Sequence, residues 1–195
     1  MTREILLVPH ANRQQNLEAT SRAAELLQSA GITVRVCADE KVLPGLKHVP
    51  HTEDAAAGCE LVLVLGGDGT FLRAADMARA VDIPVLGINL GHVGFLAEWE
   101  VESLDQALVR VIDKRYRIED RLTIDVTIFD EEGTLLNRSW ALNEASVENQ
   151  NRSGVLDAIL EVDRRPVSSF GCDGVLISTP VSYTHLRAHE TPEHL

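Results

Sequence analysis

Val64-Leu65-Gly66-Gly67-Asp68-Gly69-Thr70 is the stretch that decides how this chain folds. The apolar residues 61–64 run into glycines set around one carboxylate, and residues 71–80 behind them carry a helical pattern. The order reads as a strand, a tight turn and a helix N-terminus. Gly66, Gly67 and Gly69 can take φ/ψ values closed to other residues and leave backbone N–H groups facing outwards. Together with the helix start they make a seat for phosphate. Thr70 is placed to cap that helix. Asp68 is the odd member, because a carboxylate beside a phosphate seat is electrostatically unfavourable. Two readings stay open: it holds Mg²⁺ or accepts a proton from an attacking hydroxyl, or it is an Asp chosen for turn geometry. Neither G-x-G-x-x-G nor G-x-x-x-x-G-K-[ST] occurs in the chain, so this is not a dinucleotide fingerprint or a Walker loop.

Outward from that turn, strands and helices alternate. Residues 5–9 read as a buried first strand. Leu17, Ala23, Ala24, Leu26 and Leu27 recur at helical spacing, with Gly31 as the stop. Residues 32–38 return as a second strand, and 39–58, with Pro44, Gly45 and Pro50, are expected as a loop containing a short helix. Residues 61–65 form the third strand. Ile83-Pro84-Val85-Leu86-Gly87-Ile88 is the fourth, ending at Asn89. Such uniformly apolar strands at βα spacing predict an open, mostly parallel sheet covered by helices on both faces. Ser103 precedes a further helix through Asp113, and Gln106 is placed to complete a capping box.

The period changes after Tyr116. Leu122, Ile124, Val126 and Ile128 alternate with Thr123, Asp125 and Thr127, and Asp130-Glu131-Glu132-Gly133 is a turn. Leu156, Ala158, Leu160 and Val162 alternate again. One apolar and one wet face point to antiparallel strands, so a second, β-rich domain begins near residues 116–120. Arg164-Arg165-Pro166 is a basic island that reads as a hairpin turn with solvated arginines.

A chain of 195 residues holds one large domain, or one domain and part of another. The net charge of −12 argues against nonspecific binding to DNA, RNA or anionic membrane, yet says nothing against a nucleotide. Cys37, Cys59 and Cys172 have no close spacing, which disfavours a disulfide framework or zinc knuckle. The start reads as a first strand and not as a signal peptide, and no apolar run reaches spanning length, so a cytoplasmic location is expected.

Three further places carry polar residues suited to a ligand. Asn89-Leu90-Gly91-His92-Val93-Gly94-Phe95-Leu96 follows the fourth strand, where open α/β sheets bind ligands. Phe95 there either stacks on a base or fills core, and His92 reads as structural or exposed. Asn143-Glu144 pairs an amide with a carboxylate, a combination suited to ribose hydroxyls, or else simply exposed polar residues. Neighbours in a strand face opposite sides, so the backbone must bend there if both touch one ligand. Asp173-Gly174, ahead of an apolar strand, is equally open.

Gly66-Gly67-Asp68-Gly69-Thr70, then residues 89–96, then Leu142-Asn143-Glu144, then Asp173-Gly174-Val175-Leu176-Ile177-Ser178-Thr179-Pro180, taken in this order, resemble bacterial NAD kinases, in wording their actinobacterial branch. The first motif alone is shared with 6-phosphofructokinases and with diacylglycerol or sphingosine kinases; the four together are specific and cover residues 1–180. The resemblance implies a phosphofructokinase-like α/β domain over residues 1–118, handling donor phosphate and NAD, and a partial β-rich domain over 119–180. It implies transfer of a phosphoryl group from ATP or inorganic polyphosphate to the 2'-hydroxyl of the adenosine ribose of NAD, giving NADP. Asp68 would activate or orient that hydroxyl, Gly67 and Gly69 would lie along the phosphates, and Phe95 near the adenine. Asn143 and Glu144 carry over as NAD contacts and Asp173 as a residue near the nicotinamide end, reached across a subunit interface. A divalent cation, Mg²⁺, would be held mainly with the donor phosphates, with no metal ligand assigned to the protein. A homodimer or tetramer is implied as well. The alternatives are a diacylglycerol- or sugar-kinase-like phosphotransferase and a non-catalytic nucleotide-binding module. Phe95 with Asn143-Glu144 suits adenosine better than a lipid.

Residues 181–195 depart from this pattern. The family continues into a Gly/Ser/Thr-rich turn ending in Ala-Tyr, where this chain has Val181-Ser182-Tyr183 and then His185, His189 and His194 without periodicity. A non-native or disordered tail is expected there. The β domain would then be incomplete, with unpaired edges and an uncovered apolar face, and the chain itself would have little activity.

Overall fold

The computed structural model describes residues 2–10, 14–37, 45–89, 96, 99–100, 104–149 and 154–180. His92, Phe95, Ser103 and the histidines of the tail lie outside the described residues. By its internal contacts the chain divides into two units, Met1–Ile118 and Glu119–Leu195.

The first unit carries β1 (Glu4–Pro9), α1 (Gln14–Ser29), β2 (Thr33–Cys37), β3 (Lys47–Val49), β4 (Leu61–Leu65), α2 (Asp68–Arg79), β5 (Val85–Asn89), β6 (Trp99–Glu100) and α3 (Leu104–Ile112). Its six strands form one sheet in the order β3-β2-β1-β4-β5-β6, and every pairing is parallel. Alternation along the strands explains the layers. Ile5, Leu7, Leu61, Leu63 and Leu65 turn to one face, where they pack with Ala23, Ala24 and Leu27 of α1 and Leu104, Leu108 and Val111 of α3. Leu6, Val8, Val62 and Val64 turn to the other and meet Ala74, Met77 and Ala78 of α2. Both faces are covered, which is what a parallel sheet requires.

Two local expectations need correction. The stretch 39–58 hides a strand: β3 adds to the sheet edge, with Lys47 opposite Arg35 and Val49 opposite Cys37. A three-residue edge strand with two exposed side chains leaves no period to read. Its described remainder closes in successive turns, Ala55 N–H to Thr52 O and Ala57 N–H to Asp54 O, with no short helix among the described residues. The crossover helix starts at Asp68, three residues earlier than the pattern of apolar residues suggests.

The second unit holds β7 (Ile124–Phe129), β8 (Leu135–Ala141), β9 (Glu144–Glu148), β10 (Leu156–Val162), β11 (Arg165–Cys172) and β12 (Gly174–Ser178). They pair antiparallel as three two-stranded ladders, β7 with β8, β10 with β11 and β9 with β12. The turn at 130–133 closes with Gly133 at φ 81°, and its Asp130 carboxylate accepts from Thr134 N–H at 2.7 Å. The basic island is a hairpin turn as expected: Asp163 and Arg164 both have positive φ (50° and 63°), the backbone that matches strand twist in a two-residue connection. Alternation places apolar residues on shared faces, but many of these stay open to solvent, among them Phe129, Leu136, Val155 and Ile159.

Candidate functional site

The sheet order has one reversal. From β1 the chain moves outward to β2 and β3, then returns to the far side of β1 as β4 and continues to β5 and β6. The switch therefore lies between β1 and β4, and ligands of open α/β sheets sit beyond the carboxyl ends of the strands at such a point. Three chain ends meet there. His10 N–H donates to Leu65 O at 2.9 Å, and Gly66 N–H donates to Ile88 O at 3.0 Å. The Leu65–Gly66 peptide is thus stitched to the ends of both neighbouring strands.

Gly67 is the N-cap of α2, and Asp68 is the first helical residue. Thr70 is not the cap. Its side chain is buried in the first turn, while the cap has no side-chain hydrogen bond. Asp68 suits this position because a carboxylate offsets the positive end of the helix. Its Oδ1 accepts the Leu96 N–H at 3.1 Å, tying the half-buried carboxylate to the chain beyond β5. Arg73, one turn further along α2, donates from Nη2 to Pro9 O at 2.9 Å and fastens the helix to the end of β1. Sequence reading did not single out Arg73, since nothing in its spacing foretells a partner so far away in the chain.

The glycines divide by reason. None of Gly66, Gly67 or Gly69 has positive φ, so the expectation that they supply backbone conformations closed to other residues is wrong. Gly66 is required by packing: a Cβ there would lie 2.7 Å from Thr70 Oγ1 and 3.1 Å from His10 Cβ. At Gly67 and Gly69 a Cβ would meet nothing within 4 Å.

The remaining candidates lie in the second unit. The strand-like stretch around residue 143 does bend: β8 ends at Ala141, Leu142 and Asn143 turn, and β9 starts at Glu144. Thr179, just past β12, closes this bend. Its N–H donates to Asn143 O and its buried hydroxyl to Leu142 O, each at 2.8 Å. Asn143 Oδ1 is buried and without a hydrogen-bond partner among the described residues. Glu144 is exposed beside it. Asp173 is exposed in the bend before β12, at the other end of the ladder. Glu144 pairs with Ser178 and Glu148 with Gly174. At ~3.4 Å per residue the two ends are roughly 14 Å apart, so Asp173 does not join Asn143-Glu144 at one point. Gly174 is fixed by packing, since a Cβ would come within 2.9 Å of Val147 O.

The groups with shifted pKa values stand elsewhere. Glu60 is held below the usual carboxylate range by its hydrogen bonds from Arg3, and burial pushes the Cys59 thiol up. Cys37, Cys59 and Cys172 form no disulfide with one another; the first two are buried in the core and the third is half-buried. A groove of about 590 Å³ runs along α3, lined by Asp105, Gln106, Val109, Arg110 and Arg115, and includes no residue of the glycine turn. Among the described residues no helix is long and apolar enough to cross a membrane.

An open parallel sheet with a glycine turn and a carboxylate at its switch point defines the class, a doubly covered α/β fold with its site beyond the strand ends. Comparison with known proteins narrows it. The family model described as the ATP-NAD kinase N-terminal domain matches residues 5–116. The NAD kinase of Corynebacterium efficiens is 63% identical over 190 residues, covering 93% of this chain and 60% of that protein. The chain belongs to the NAD kinase family. It spans about three-fifths of the length of the curated relatives it matches. Among solved structures, yeast NADH kinase complexed with NADH superposes with a TM-score of 0.82 at 19% identity, covering 97% of this chain and 62% of that one. An NAD kinase from Archaeoglobus fulgidus in complex with ATP gives 0.65 at 22% identity, covering 98% and 66%. At such identities the likeness is one of fold.

Proposed function

We propose that this chain carries the phosphate-handling unit and part of the acceptor-binding unit of an enzyme that phosphorylates the 2'-hydroxyl of the adenosine ribose of NAD, with ATP or inorganic polyphosphate as donor. The observation that carries the reading is the pair Gly67 and Gly69. Neither backbone conformation nor packing asks for glycine at either position, and both flank Asp68 at the N-terminus of α2. A bulky anion approaching the helix end supplies the reason, because side chains there would stand in its path.

In this reading the donor phosphates lie along Gly67 and Gly69. Asp68 orients the ribose hydroxyl and takes its proton as the phosphoryl group transfers. The hydrogen bond from Leu96 fixes which way that carboxylate faces. Asn143 and Glu144 hold the adenosine side of NAD, where the orphaned Asn143 oxygen calls for a donor from the ligand. Asp173, which does not join Asn143-Glu144 in this chain, would reach the nicotinamide end across a subunit interface of the oligomer. Phe95, outside the described residues, belongs near the adenine. A divalent cation would be held mainly with the donor phosphates. Among the described residues no group of three or more His, Cys, Asp or Glu converges to hold a metal, and Asp68 is the single carboxylate of the turn. Mg²⁺ bound with the donor would neutralise phosphate charge, while the protein positions both reactants. Assembly as a homodimer or tetramer and a cytoplasmic location belong to the same reading.

The chain alone is expected to turn over little, because its second unit has an exposed apolar face where a pocket wall is needed. The test joins residues 1–180 to the remaining C-terminal portion of the Corynebacterium efficiens enzyme and follows NADP formation from NAD, Mg²⁺ and ATP or polyphosphate. The chimera should produce NADP and the isolated chain none above background. Asp68→Asn in the chimera should lower turnover by about 10²- to 10⁴-fold. Full turnover by the Asn variant would remove Asp68 from the chemistry. Phosphorylation of diacylglycerol or a sugar in place of NAD would overturn the acceptor.

A further inference from the structure

We infer that Thr179 is a positioning residue for the acceptor nucleotide, acting through the Leu142-Asn143 bend without touching the ligand; this rests on the NAD reading of Asn143. Three observations meet at one point. Thr179 is 3% exposed, so its hydroxyl is not available to solvent or to a large ligand. Its hydroxyl and its N–H grip two successive carbonyls, those of Leu142 and Asn143, at 2.8 Å each. The side chain that the bend carries, Asn143, buries its Oδ1 without a partner among the described residues.

A buried carbonyl oxygen left without a donor costs more than a typical hydrogen bond contributes, so the bend would relax to satisfy it if the backbone were free to move. Thr179 prevents that relaxation. It pins the carbonyls on both sides of the Asn143 Cα, and so keeps the carboxamide oriented for a donor that arrives with the ligand. The ladder itself cannot do this. Its last pair is Glu144 with Ser178, one residue short of the bend on each strand. Thr179 extends the grip of β12 past the end of the ladder. Serine would keep the hydroxyl, whereas valine keeps the shape and the N–H but loses the hydroxyl bond.

The test compares the wild-type chimera of residues 1–180 and the Corynebacterium efficiens C-terminal portion with its Thr179→Val and Thr179→Ser variants by ¹⁵N-resolved NMR, titrating NAD. In wild type and Thr179→Ser, NAD should shift the Asn143 side-chain amide resonances. In Thr179→Val these resonances should sharpen from increased mobility, and NAD affinity should fall about tenfold, the scale set by losing one buried hydrogen bond. The amides of Val147 and Val175, paired in mid-ladder, should be unchanged in all three, which separates positioning from unfolding. Wild-type affinity in Thr179→Val with its ladder intact would overturn the inference and leave the NAD reading standing. Loss of the ladder signals in Thr179→Val would make Thr179 a structural residue and overturn the positioning role. Absence of any NAD response at Asn143 in wild type would overturn the nucleotide reading of this site, and the inference with it.

Discussion

In β4 of the first unit all of Leu61–Leu65 is buried, whereas in β10 of the second unit Ile159 is 72% exposed and Val162 55%. Both strands are rich in branched apolar residues, so composition does not separate them. Connection does. A parallel strand has no partner until a helix has crossed over the sheet, so β1, β4 and β5 come together only with α1, α2 and α3 laid on both faces. An antiparallel hairpin needs only its turn, and 130–133 and Asp163-Arg164 provide that locally. The second unit thus has ladders without a buried core. Among its described residues Leu142 and Thr179 are the buried side chains, and both belong to the bend at Asn143. A two-stranded ladder is marginal by itself in water. Stability in this chain therefore resides in the first unit, and burial in the second is concentrated where Asn143 is held.

The contrast is sharpest for a core deletion. Leu63→Ala removes a fully buried side chain from the middle of the sheet and should destabilise the first unit by about 2–5 kcal/mol. Ile159→Ala should cost less than about 0.5 kcal/mol. Hydrogen exchange of the β1 and β4 amides against those of β10 and β11 reads each unit separately, which a single melting temperature does not. Equal losses would mean that the second unit owns a core after all.

A smaller effect separates the glycines within the turn. Gly66→Ala forces a Cβ against Thr70 and His10 and should cost the first unit about 1–3 kcal/mol. Gly67→Ala and Gly69→Ala have room for the added methyl and should leave β4 exchange unchanged while weakening ATP binding, measured by calorimetry. If Gly67→Ala proved as destabilising as Gly66→Ala, the turn would be explained by packing alone and the phosphate seat would lose its support.

Legibility in the sequence follows the same divide. The strands and helices of the first unit can be read because burial on two faces writes long apolar runs and helical spacing into the chain; β4 matches its expected span, and β1 and β5 fall within two residues of theirs. β3 was hidden because an exposed three-residue edge strand has no pattern. The start of α2 reads too late in the sequence because its first turn is written in Gly, Asp and Thr, residues that also make turns. Asp68 was legible from its glycine neighbours, but the division of those glycines into one for packing and two facing open space was not, since it depends on atoms of Thr70 and His10. The bend at Asn143 is legible only as a condition, since strand neighbours face opposite sides. Its keeper, Thr179, was beyond reach, because the bond spans 37 positions and depends on which strands pair.

The smallest expected effect concerns acid. Arg3 donates from Nε and Nη2 to Glu60 at 2.8 and 2.5 Å, and from its guanidinium to the carbonyls of Ile112 and Val111 at 2.7 and 2.8 Å. It fastens the C-terminal end of α3 to the start of β1 and β4. The hydrogen bonds from Arg3 hold the folded Glu60 carboxyl below its ordinary value, against the opposing effect of burial. A carboxyl lowered on folding binds fewer protons in the native state, so it stabilises the fold above the unfolded value. That contribution is lost as pH falls through the folded value. Protection of the β1 and β4 amides should therefore decline below the ordinary carboxylate range in wild type. Glu60→Gln should be less stable at neutral pH and show a shallower acid slope. The β10 and β11 amides, in a unit with no part in this clasp, should keep the same acid response in both proteins. An identical acid slope for β1 and β4 in the Gln variant would show that Glu60 does not carry the pH dependence of the first unit.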